Sequence, residues 1–138
     1  MEMTAEVERA LIRSQPVVAL ESSVIAQGLP PEIAPDVARE AQERVRASGA
    51  VPATIAILDG AVRVGLDEPA IDRLAHEEGV RKVGGRDLAT CAVSGQSGAT
   101  TVAGTLAVCT MAGIHFMATG GMAASIAAGS ARSTCPPT

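Results

Sequence analysis

Aromatic residues are almost missing from this sequence: Phe116 is the single one among 138 residues, and there is no Trp or Tyr. A core must therefore be assembled from Val, Ile, Leu and a great deal of Ala, which favours helices packed closely against a sheet. Clusters of positive charge are missing too, and the formal net charge is -4. Neutralising a phosphate backbone requires clustered Lys and Arg, so nucleic acid is excluded as the main partner. Cysteine is sparse. Cys91, Cys109 and Cys135 show none of the short spacings of a zinc knuckle or redox motif, and no disulfide is expected. No apolar run is long enough to span a bilayer, because the stretch from Thr100 to Ala118 is interrupted by Gly104, Gly113 and His115. The opening MEMTAEVERALIRSQ is charged and amphipathic, with Val7, Leu11 and Ile12 on one face, and lacks the apolar centre of a signal peptide. A cytoplasmic protein without a membrane partner is expected.

What is present is a strongly apolar chain, 47% hydrophobic against 19% charged, which excludes disorder and allows one ordinary core but not two. Its elements alternate. Val17-Val18-Ala19-Leu20 reads as a buried strand opening into a loop at Glu21. Asp36 is positioned to cap a helix through Ser48, with Val37, Ala41 and Val45 on one face, Glu40 set to pair with Arg44, and Gly49 as the stop. AVPATIAIL is a strand, Asp59-Gly60 a hairpin turn, and AVRVGL an antiparallel partner. Asp67 then starts a helix with Ile71, Leu74 and Ala75 facing inward, and Gly79 ends it before the strand VRKV. A short helix DLATCAV, a glycine-rich segment opening a helix that runs to Ala112, and a strand IHFMA complete the pattern. The predicted fold class is α/β, three layers with a mixed, mostly parallel sheet, here incomplete.

Two places carry candidate chemistry. Glu21 stands at a strand end, the edge at which open α/β sheets bind ligands, and is a candidate acid or base; capping the next helix or pairing with an arginine is the structural alternative. In SGQSGATTV, Gly98, Thr100 and Thr101 are candidate phosphate contacts ahead of a helix, although a simple cap explains the same residues. His76 reads as a surface residue and His115 as a satisfied strand histidine.

VVALESSVIAQGLP, GAVPATIAILDGAVRVGL, KVGGRDLA, SGQSGATTVAGTL and AGIHFMATGG, in this order and with these gaps, closely resemble the N-terminal part of pseudouridine-5'-phosphate glycosidases. The resemblance runs from Pro16 to Gly121, so that residues 1–121 are expected to form the N-terminal part of such a domain. It implies reversible cleavage of pseudouridine 5'-phosphate to uracil and ribose 5-phosphate by a manganese-dependent α/β/α enzyme that is a homotrimer. The family's proton-donating glutamate, in ALES, falls on Glu21. Its substrate-binding lysine falls on Lys82 of KVGGRD, and a further substrate contact falls on Val102 of GATTVA, made largely through the backbone. Read without the resemblance, Lys82 is a solvated strand-end residue and Val102 a core residue. Gln27 stands where many relatives carry histidine.

Past Gly121 the resemblance stops. The family continues GGIGGVHRG, then a manganese-binding aspartate just before Ser-Ala-Asp, and later the nucleophilic lysine. This chain reads MAASIAAGSARSTCPPT over residues 122–138, with no lysine after Lys82. With GC-rich codons chosen among the synonyms, inserting one C near codon 122 turns this tail into IGGVHRGGEREVDMSAD, the family's own continuation. The tail is thus expected to be an out-of-frame, disordered segment, and the manganese ligand and the imine-forming lysine are expected to be absent. On this reading the chain is inactive as written, either a phosphosugar-binding fragment without turnover or an inert product.

Overall fold

The computed structural model describes residues 1–119. The tail 122–138, the frame reading made for it, Gly120, Gly121 and Cys135 lie outside the described residues.

The centre of the sheet is β3 (Val51–Leu58), apolar except for Thr54 and buried on both faces after Val51. Ala53, Ile55 and Ile57 point to one core cluster, and Ala56 and Leu58 to the other, as strand alternation requires. Parallel to its first half runs β2 (Val17–Leu20), which pairs on its other side with β7 (Phe116–Ala118), also parallel. The second half of β3 pairs antiparallel with β4 (Ala61–Val64) through the turn Asp59-Gly60. Both turn residues have positive φ, 50° and 78°, the requirement of a tight hairpin turn that a glycine meets without strain. Two further strands complete the sheet: β6 (Gly98–Thr100), antiparallel to β3, and β5 (Arg81–Val83), parallel to β6. The N-terminal strand β1 (Glu2–Met3), parallel to β4, was not expected from the sequence, because two residues carry no periodicity.

Helices cover both faces. On one lie α1 (Ala5–Ile12), α4 (Leu88–Val93) and α5 (Val102–Ala112), contributing Val7, Cys91 and Val108 to the first cluster. On the other lie α2 (Ala34–Ala47) and α3 (Glu68–His76) with a π-helical turn, Val24–Gly28, contributing Ala38, Leu74 and Ile25. The expected three-layer α/β architecture with a mixed, mostly parallel sheet is present. Helix α5 packs tightly because Gly104 has no side chain: a Cβ there would lie 2.4 Å from the Val83 carbonyl oxygen.

Several local expectations hold. Asp67 caps α3, accepting from the Ala70 N–H at 3.0 Å, and Ile71, Leu74 and Ala75 are its buried face. Glu40 pairs with Arg44 at 2.6 Å, and Gly49 follows the end of α2. Others are corrected. Helix α2 starts two residues before Asp36, with Pro35 in its first turn, where the fixed φ of proline fits. Asp36 therefore binds Arg39 at 2.7 Å and is not the cap. The face of α2 packed on the sheet is Ala34, Ala38 and Gln42, so the stripe Val37, Ala41 and Val45 is rotated outward. Ile12 lies 77% exposed rather than beside Val7 in the core. Helix α3 ends at His76, before the expected stop at Gly79.

Candidate functional site

The end of β2 is where the sheet changes. Leu20 is in register with Thr54 on β3 and with Ala118 on β7. Beyond it, the same edge of β3 is taken over by β6, which pairs with Ala56 and Ile57. The crossover is pinned by Ser22, fully buried: its N–H donates to the Thr100 carbonyl at 3.2 Å, and its Oγ accepts from the Thr100 N–H at 2.9 Å. Thr100 in turn donates its hydroxyl to the Ile55 carbonyl at 2.7 Å. With Ser22 held inside, the preceding residue, Glu21, is left at the carboxyl edge of three parallel strands, half-buried.

A cavity of about 710 Å³ opens there, and Glu21 and Lys82 both line it. Each oxygen of the Glu21 carboxylate has a hydroxyl partner: Ser23 Oγ donates to Oε2 at 3.1 Å, and Thr119 Oγ1 donates to Oε1. Lys82 is exposed, and none of the ion pairs among the described residues uses it. Its ammonium is available to an anionic ligand. Gln27, also on the wall, donates Nε2 to the Val80 carbonyl at 3.0 Å and so ties the π-helical turn to the start of β5. Turns of this kind recur at functional sites because the extra residue re-aims neighbouring side chains. The opposite wall is apolar, built from Val24, Leu29, Val37, Ala38 and Ala41. A second cavity of about 400 Å³ lies at the other end of β2 and β7, next to Pro16 and His115, and no carboxylate lines it.

The fold thus brings Glu21 and Lys82 together but leaves Val102 outside the cavity lining; Val102 is the first residue of α5, half-buried. The phosphate loop read from Gly98 to Thr101 is corrected. Gly98 and Thr100 form the buried strand β6, and Thr101 is the cap of α5, its hydroxyl accepting from the Gly104 N–H at 3.2 Å. Residues 98–100 are buried, while Thr101 and Val102 at the start of α5 are half-buried. His115 is exposed just before β7 rather than satisfied in a strand, and His76 is exposed as expected. Cys91 and Cys109 are free and buried, and burial pushes both thiols up. Among the described residues no group of three or more His, Cys, Asp or Glu side chains is placed to hold a metal ion. No described helix is long and apolar enough to cross a membrane.

Sequence reasoning missed Ser23, Thr119 and the α2 wall. A hydroxyl two residues past the carboxylate was a readable signal for Ser23. Thr119 required knowing that β7 lies beside β2.

A mixed α/β domain with a carboxylate and an ammonium on one apolar-walled cavity at its strand ends belongs to the class of α/β small-molecule sites. Comparison with known proteins narrows this. Residues 6–129 match the family described as Indigoidine synthase A like protein. The pseudouridine-5'-phosphate glycosidase of Streptomyces griseus subsp. griseus is 51% identical over 120 residues, covering 87% of this chain and 37% of the relative. That of Frankia alni is 49% identical over 120 residues, covering 87% and 33%. Among solved structures, the prealnumycin C-glycosynthase AlnA in complex with ribulose 5-phosphate superposes with a TM-score of 0.76 at 42% identity, over 86% of this chain and 38% of that one. An indigoidine synthase A-like protein from Thermotoga maritima gives 0.71 at 35% identity, over 76% and 36%. The chain belongs to the Indigoidine synthase A like protein family, and it spans less than two fifths of the length of these relatives.

Proposed function

We propose that this chain carries the phosphosugar-binding and proton-moving part of a pseudouridine-5'-phosphate glycosidase site. The overall reaction adds water across the bond between C1' of the sugar and C5 of the base, giving uracil and ribose 5-phosphate. That bond has no leaving oxygen to protonate, so the usual pair of glycosidase carboxylates does not suffice. The base carbon must take a proton as the bond breaks. Glu21 is assigned as its donor: its carboxylate, held in one orientation by the hydroxyls of Ser23 and Thr119, takes a proton from a sugar hydroxyl as the ring opens and passes it to the base carbon. Lys82 supplies the positive charge for the phosphorylated sugar, and Val102 offers a backbone N–H at a helix start, where such groups lack intrahelical partners. The observation that carries the proposal is that Glu21 and Lys82, distant in sequence, line one cavity.

The remaining chemistry assigned to the family is an imine between a second lysine and the opened sugar. Lys82 is the one lysine of this sequence and is already given to substrate binding. The chain is therefore proposed to bind without turning over, with no step routed through manganese. The trimer and the cytoplasmic location belong to the same proposal. The test is equilibrium binding of ribose 5-phosphate to the full chain. Saturable binding, weakened about tenfold (~1.4 kcal/mol) by Lys82→Ala, is expected. Binding that is absent, or indifferent to Lys82→Ala, would overturn the assignment.

A further inference from the structure

The segment that follows Glu21 is anchored to the sheet at two points. At its start, Ser22 exchanges two hydrogen bonds with Thr100 on β6. At its end, Gln27 donates Nε2 to the carbonyl of Val80, the residue just ahead of β5. Among the described residues, this is the one hydrogen bond between the π-helical turn and the β5 segment. Strands β5 and β6 are parallel neighbours, with Lys82 opposite Ala99 and Val83 opposite Thr100. The two anchors therefore bracket Lys82: Val80 precedes it by two positions, and Thr100 lies opposite the residue after it. Between the anchors the same segment carries Ser23, whose hydroxyl fixes Glu21 Oε2. Gln27 is exposed and lines the cavity, so its amide is not needed to fill the core.

From this arrangement, and resting on the function proposed above, we infer that Gln27 is a positioning residue: by tying the turn to Val80 it sets the spacing between the Glu21 carboxylate and the Lys82 ammonium that a phosphorylated sugar must span. Groups already spaced for their ligand lose less to ordering when it binds, so the bond acts on affinity through Lys82. At an exposed position a neutral hydrogen bond contributes little to folding, and its loss should be felt at the site rather than in stability. What the tie requires is an N–H donor at one reach. The Nε2 of a histidine ring lies the same number of bonds from the backbone as the Nε2 of glutamine and also donates, whereas methionine has like length and no donor.

The test is calorimetric binding of ribose 5-phosphate to the full chain carrying Gln27→Met or Gln27→His, each with and without Lys82→Ala. Gln27→Met is expected to weaken binding about threefold, and Gln27→His to restore it. In the Lys82→Ala background, Gln27→Met should cause no further loss, because a positioning effect then has nothing left to act on. A general loosening of the fold would instead weaken both backgrounds alike. Parent affinity in Gln27→Met, no restoration by Gln27→His, or an equal loss in both backgrounds would overturn this inference and leave the proposed function standing. Binding indifferent to Lys82→Ala, or no binding of ribose 5-phosphate at all, would overturn both.

Discussion

Thr119 donates its hydroxyl to Glu21 Oε1, joining the residue that follows β7 to the residue that follows β2. The two strands are parallel and adjacent, so the bond fixes the carboxylate across the mouth of the sheet, while Ser23 takes the other oxygen. A hydrogen bond to a charged group contributes about 1.5–3 kcal/mol when sheltered, and less at a half-exposed site. Thr119→Val is expected to weaken binding of pseudouridine 5'-phosphate about threefold to tenfold, and Thr119→Ser to restore most of it. Loss in Thr119→Ser with binding kept in Thr119→Val, measured by calorimetry, would mean that packing of the methyl group and not the hydroxyl is what counts.

Thr100 is the buried knot beneath the site. Its hydroxyl donates to the Ile55 carbonyl at 2.7 Å and meets Thr105 Oγ1 at 2.9 Å, with all three residues fully buried. Thr100→Val keeps the shape but strands these partners without water, and should lower unfolding free energy by about 1–3 kcal/mol. The check is the urea midpoint at unchanged slope.

Stability should also depend on acidity through the pair that ties α1 to α2. The hydrogen bond from Arg46 holds the Glu6 carboxyl below its ordinary value of 4.5, outweighing the opposing effect of burial. A carboxyl lowered in the folded state adds stability above its unfolded pKa, and that stability is lost as pH falls through the folded value. Both side chains are about two fifths exposed, so the contribution is at most ~1 kcal/mol. Glu6→Gln should thus be slightly less stable than the parent at about pH 7 and equal to it at about pH 2, by urea unfolding at each pH.

Lys82 stands alone as a lysine, which makes the chemistry of turnover testable. Incubation with pseudouridine 5'-phosphate should release no uracil. Borohydride added with ribose 5-phosphate should leave no reduced sugar adduct on the chain by mass spectrometry. An adduct on Lys82 would show that this residue forms the imine itself, contradicting its assignment to substrate binding.

The sequence was most legible where pattern and cap agree. Asp67, Ile71, Leu74 and Ala75 mark α3 unambiguously, and Asp59-Gly60 between two apolar runs marks the hairpin. It was less legible for α2, where Val37 and Ala41 have the right helical spacing for a core face yet look into the cavity; periodicity identifies a stripe but not what lies opposite. Gly98 to Thr101 misled for a related reason. Small hydroxyl residues ahead of a helix suit a phosphate and a buried strand crossing equally, and the bonds from Thr100 to Ser22 and Ile55 come from residues remote in sequence. Glu21 was visible because its strand ends abruptly, while the role of Thr119 depends on a pairing that no local pattern encodes.

The most direct test of the account is a titration of the ¹⁵N-labelled full chain with pseudouridine 5'-phosphate, following every backbone amide. The account predicts saturable shifts confined to Glu21 through Gly28, the α2 residues Val37 to Ala41, Lys82, Val102 and Thr119, abolished by the double variant Glu21→Ala, Lys82→Ala. Shifts centred instead on Pro16, Ile114 and His115 at the second cavity, or no saturable shift at all, would contradict it.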